Sequence, residues 1–123
     1  MISASKPLKK TIQGVHIDAR NQTVTDIEFE PTRVEMYRLV DCDTVQFVRL
    51  YQTTDAVIVD DNGLQNNPKH FFSITGRCGG PLAGNGLIVG GPDGNGDETD
   101  STLKAADLNV TFLSLDRASE VTA

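Results

Sequence analysis

Apolar and polar residues alternate with a period of two along much of the chain, the spacing that sets one side of a strand against a core. Thr11–Asp18 has Ile12, Val15 and Ile17 as its apolar positions, and the change of phase at Gly14 predicts a bulge. Thr23–Phe29 places Ile27 and Phe29 on one side; with a turn at Ala19–Gln22 the two segments make a hairpin. Thr44–Tyr51 is apolar in both registers, with Val45, Phe47, Arg49 and Tyr51 on one face and Val48 and Leu50 on the other. That pattern predicts a central strand. Ala56–Asp60 is the best-defined strand, and Asp61-Asn62-Gly63 after it predicts a tight turn using positive φ. His70–Ile74 fits either a short strand or a helical turn. Leu87–Val89 reads as a buried strand and Asn109–Leu115 as the last one.

Two places break the period. Pro31 ends the second strand, and Thr32-Arg33-Val34-Glu35 has the form of a capping box that opens a two-turn helix, stopped by Asp41-Cys42-Asp43. Ser101 or Thr102 is placed to cap a second short helix through Leu108. The order of elements predicts an α+β fold in a single domain over residues 9–115. Its form would be one mainly antiparallel sheet of five or six strands with two short helices on one face. Residues 1–8 read as a flexible arm and 116–123 as a flexible tail. Val57, Val59, Ile88 and Phe112 are the expected core residues.

Composition supports a strand-rich domain, because Val, Ile and Thr far outnumber Ala. The longest uninterrupted apolar run is Ala56–Val59, far short of the roughly 20 residues a membrane helix needs. The first ten residues show no apolar segment of a secretory leader. Cys42 and Cys78 stand apart, which predicts reduced thiols in a cytoplasmic protein. With two widely spaced His beside them, the expectation is no zinc. The formal net charge is −6, which disfavours direct binding to a phosphate backbone.

Nine of the eleven glycines lie between Gly76 and Gly96. Within this stretch Gly79, Gly80, Gly84, Asn85 and Gly86 are candidates for an anion- or ligand-binding loop built from backbone amides. The segment fails as a nucleotide loop, because Asn85-Gly86 stands where Lys-Ser/Thr belongs and a strand follows instead of a helix. Asp93, Asn95 and Asp97 have the alternating oxygens of a calcium loop. Glu98 and Lys104 stand where the EF-hand template needs Gly and Glu, so only a weak calcium site is expected. Asp41, Asp43, Asp60 and Asp61 cluster at element ends, and Cys78 with His70 is a conceivable thiolate–imidazole pair lacking an orienting third group.

Three segments carry a family pattern: Val45–Leu50, then Asp55–Leu64 with Asn66 and Asn67 before Pro68, then Pro81–Gly90. In these the chain resembles the small phage, plasmid and bacterial proteins grouped as domain of unknown function 3846, over about residues 34–115. It departs from the pattern in a denser glycine segment and a shorter final helix. The resemblance implies a cytoplasmic accessory protein of a mobile element and transfers no catalytic residue. With no cofactor motif, the expected function is a non-enzymatic protein- or ligand-binding module. The alternatives are an acidic mimic of nucleic acid acting in anti-defence or regulation, and a small hydrolase. The expected partner is another protein or a second copy in a homodimer, through a strand edge or a face carrying Tyr37 and Phe71 or Phe72.

Overall fold

The computed structural model describes residues 11–66, 68–92, 94 and 96–114. The proposed arm (1–8) and tail (116–123) lie outside the described residues. The order of elements is β1 (Ile12–Asp18), β2 (Thr23–Phe29), α1 (Arg33–Val40), β3 (Val45–Arg49), β4 (Ala56–Asp60), β5 (His70–Ile74), β6 (Leu82–Ala83), β7 (Gly86–Val89) and β8 (Val110–Ser114). Two single turns of 3-10 helix, Gly63–Asn66 and Ala105–Asp107, lie between them.

The strands form two sheets where one was expected. The larger has the order β2-β1-β7-β4-β3 and the smaller β6-β5-β8, and every pairing is antiparallel. Strand β7 explains the arrangement. All four of its residues are buried, and it joins β1 to β4 at the centre of the large sheet. A strand buried on both faces needs two covers. Leu87 and Val89 pack with Ile58, Met36 and Val40 under helix α1. Ile88 packs with Val15, Ile17, Val57 and Val59 against Phe72 and Ile74 of the small sheet. The molecule is therefore layered as helix, large sheet, small sheet. Each fully buried aliphatic side chain contributes about 1.5–3 kcal/mol.

Helix α1 starts as its residues dictate. Thr32 Oγ1 accepts from the Glu35 amide at 3.2 Å, which satisfies one of the amides the first turn leaves open. The reciprocal half of the box is absent: Glu35 grips the Arg38 guanidinium through both oxygens, and the Thr32 amide donates to Glu30 O. Met36 and Val40, one turn apart, are the residues buried on the sheet. Asp41 ends the helix in the left-handed region at φ 62°, which Asp tolerates better than most residues.

Four expectations are corrected. No bulge occurs at Gly14: β1 and β2 pair without interruption from Ile12↔Phe29 to Asp18↔Thr23. Gly14 is there for space, since a Cβ would stand 2.7 Å from Ile88 O and 2.9 Å from the Phe29 ring. Strand β3 is an edge strand, and Phe47 is exposed. Asn62 and Gly63 do not use positive φ; Asn62 N instead donates to Asp60 Oδ1 and the chain enters the first 3-10 turn. The second α-helix is missing, because the amides of Thr102 and Leu103 turn inward to the buried carboxylate of Asp55. Leu103 thereby enters the core, and only the 3-10 turn Ala105–Asp107 remains. Of the expected core, Val57, Val59 and Ile88 are buried, while Phe112 is half-buried against the same cluster.

Candidate functional site

One end of the layered core opens into a groove of about 810 Å³. Its walls are the ends of five elements. Strand β1 contributes His16 and Asp18, which share a face with Ile12 by alternation, and its turn contributes Arg20. The last turn of α1 contributes Arg38 and its cap Asp41. Asp60 ends β4, Lys69 and His70 open β5, and Gly84 with Asn85 form the turn between β6 and β7. Both histidines of the chain thus meet in one concave surface.

Hydrogen bonds fix much of this wall. His16 Nε2 lies 2.7 Å from Leu39 O. A carbonyl only accepts, so Nε2 carries the proton, and in the neutral ring Nδ1 holds the lone pair. Asp18 accepts from the Asn21 amide at 3.0 Å and from Asn21 Nδ2 at 2.8 Å. Burial works to raise the Asp18 pKa, but these bonds, helped by the nearby His16, hold its carboxyl below the usual range. Asn85 Oδ1 accepts from Ala19 N at 3.2 Å and ties the β6–β7 turn to the end of β1. Gly84 sits at φ +79°, a region that favours glycine, and its amide donates to His70 O. Among the groove's donors, neither the Arg20 guanidinium nor the His70 ring has a hydrogen bond or ion pair among the described residues, and the Asp41 carboxylate likewise has none.

The candidate anion loop is divided by the fold. Gly84 and Asn85 line the groove, and Gly86 lies in β7 opposite Ile17. Gly79 lies beside the Tyr51 hydroxyl instead, and Gly80 O accepts from the Cys78 thiol. Of the candidate calcium ligands, Asp93 and Asn95 lie outside the described residues, while Asp97 is exposed and already partnered. Among the described residues no three His, Cys, Asp or Glu side chains are grouped to hold a metal ion.

The nucleophile candidates separate in the same way. Cys78 donates toward Ile74 O at the far end of β5 from His70, and a strand of five residues spans about 13 Å between its ends. Asp41, Asp43 and Asp60 line one surface depression within electrostatic reach of Cys42 without grouping as a metal site, and Asp61 lines a different depression. Burial first, then these carboxylates, push the Cys42 thiol up to about 11, so it is held protonated and unreactive at neutral pH. The groove residues His16, Arg20 and Lys69 carry no local motif. Only the pairing of β1 with β7, and the packing of the small sheet beneath, bring position 16 near position 70.

Fold and site together define an α+β domain of two antiparallel sheets and one helix, with a polar groove at the strand ends. A family model described as Domain of unknown function (DUF3846) matches residues 12–112, from the start of β1 into β8, and the chain belongs to that family. No curated protein and no solved structure matches the chain.

Proposed function

We propose that the chain is a non-enzymatic binding module whose groove takes a small polar ligand with an anionic end. One observation carries this reading. Asp18 and Asn85 are held by hydrogen bonds from Asn21 and Ala19, whereas Arg20 and His70 present donors with no partner among the described residues. A guanidinium is suited to grip a carboxylate or phosphate through two parallel bonds. The neighbouring Asp41 and Asp60 suit a hydroxyl or amine elsewhere on the ligand. The protonated Cys42 and the separation of Cys78 from His70 favour binding over hydrolysis. Acids and bases both line the groove, which favours a ligand site over a uniform acidic surface mimicking nucleic acid. The free thiols accord with a reducing compartment, and we place the module in the cytoplasm as an accessory of a mobile element.

The test is a ligand-observed NMR screen of small carboxylates, phosphomonoesters, amines and neutral sugars, with wild type and Arg20→Glu side by side. Anionic compounds are expected to bind wild type and to lose binding in the variant. Hits that bind both proteins equally, or a screen dominated by neutral sugars, would overturn the reading.

A second reading concerns self-association. Edge strand β3 exposes Phe47 (49%), with Tyr51 just beyond it (54%). We infer that the chain pairs as a homodimer through this edge. Phe72 is fully buried and takes no part in any interface.

A further inference from the structure

We propose that the groove is a proton-gated anion site, which holds a small dianion when His16 and His70 are protonated and releases it when they are neutral. The proposal rests on the binding reading above and adds what controls it.

The charges facing the two rings come from every wall. Strand β1 and its turn present Asp18 and Arg20, and the end of α1 presents Arg38 and Asp41. Asp60 comes from β4, and Lys69 precedes His70. Three cations thus face three carboxylates, and Glu35, outside the groove, already holds the Arg38 guanidinium through two hydrogen bonds of 2.8 and 2.7 Å. With both imidazoles neutral the wall has no surplus of positive charge, and Arg20 holds an anion only weakly.

Histidine is in general the side-chain type that changes charge near neutral pH. Cys42 beside the groove, pushed up to about 11, stays a thiol there. Protonation adds two positive charges to a wall whose other charges balance. It also changes the chemistry of His16. Because Nε2–H is committed to Leu39 O, the second proton converts the remaining nitrogen from acceptor to donor. The carbonyl end of α1 is the end that favours a cation, so the ring keeps this bond when charged. An anion held by the charged rings favours their protonation in turn, so binding takes up protons.

The experiment is calorimetric titration of the full chain with sodium sulfate at pH 5.5 and 7.5, with ionic strength held constant by chloride. Sulfate keeps both charges over this range, so any pH dependence belongs to the protein. Wild type is expected to bind roughly tenfold or more tightly at pH 5.5. His70→Gln and His16→Gln should each weaken binding at pH 5.5, and the double variant should bind equally at both pH values. Gln at 16 retains a donor for Leu39 O, and a thermal melt identifies any variant that is not folded; the wild-type comparison alone decides the point if one fails. Equal wild-type affinity at the two pH values would overturn the gate and leave the groove reading standing. Full pH dependence in a folded double variant would overturn the assignment to these histidines. If no anion binds at either pH in a manner that Arg20→Glu weakens, the groove reading falls and the gate with it.

Discussion

Asp55 shows how much one residue organises. Its carboxylate is fully buried and accepts from Thr102 N at 2.9 Å and Leu103 N at 2.9 Å. Charge buried this way is stable only while its donors are supplied. Asp55→Ala strands two inward-facing amides and is expected to cost about 2–4 kcal/mol, read as a lowered urea midpoint; an unchanged midpoint would deny the staple. Nothing local in the sequence reveals it, because the donors lie almost fifty positions away and Asp before a strand reads as a turn residue. Cys42 offers a second test at this scale. With its pKa raised to about 11, the thiolate fraction at pH 7.5 is very small and rises steeply with pH. In a Cys78→Ser background, alkylation of Cys42 is expected to be slower than that of a free thiol at pH 7.5 and to accelerate up to pH 10. A rate that levels off by pH 9 would contradict the shift.

At the scale of elements, the sequence pattern was legible wherever a segment's burial follows from its own residues. The hairpin β1–β2, the Thr32 cap, β4 and β7 all appear as their periodicity implies. The misreadings arise where a distant neighbour decides. Strand β3 has an apolar residue on each face, yet among the described residues no strand pairs beyond it, so a two-sided pattern did not mean a central place. Gly14 looked like a break in phase but leaves room for Ile88 O. Residues 101–108 have helix-forming composition, but Asp55 takes the amides a first turn would use. Gly86 makes the contact between sheets measurable. A Cβ there would meet the Phe72 ring at 2.6 Å and Val57 at 3.0 Å. Gly86→Ala is therefore expected to destabilise by about 1–3 kcal/mol, although alanine usually stiffens a strand relative to glycine. A neutral or stabilising effect would show that the two sheets are not packed as described.

For the whole molecule, six of the eight strands were legible in the sequence, whereas β5 was left between strand and helical turn, the two-residue β6 was not read, and the division into sheets was not legible. Alternation marks which residues are buried and is silent on which strand lies beside which. Five strands close the large sheet, and its second face, with Val15, Ile17 and Ile88, needs a cover that one short helix on the other side cannot provide. The small sheet is that cover. The groove follows from this layering, and so its residues could not be collected from the sequence; of the anion-loop candidates only Gly84 and Asn85 reach it. The edge of β3 carries the expectation of self-association. Light scattering over a dilution series should report a dimer mass that falls on dilution, and Phe47→Lys should give a monomer at every concentration. A wild-type monomer at high micromolar concentration would remove this reading.

The central claim, that the groove at the strand ends is the ligand site, is tested most directly by amide NMR of the full chain titrated with a phosphomonoester such as glycerol phosphate at pH 6. The amides of His16 to Asn21, of Lys69 and His70, and of Gly84 and Asn85 should shift together with one saturation curve, while those of β3 and β8 stay still. Shifts scattered over the surface without saturation, or concentrated around Gly79, Gly80 and Tyr51, would contradict it.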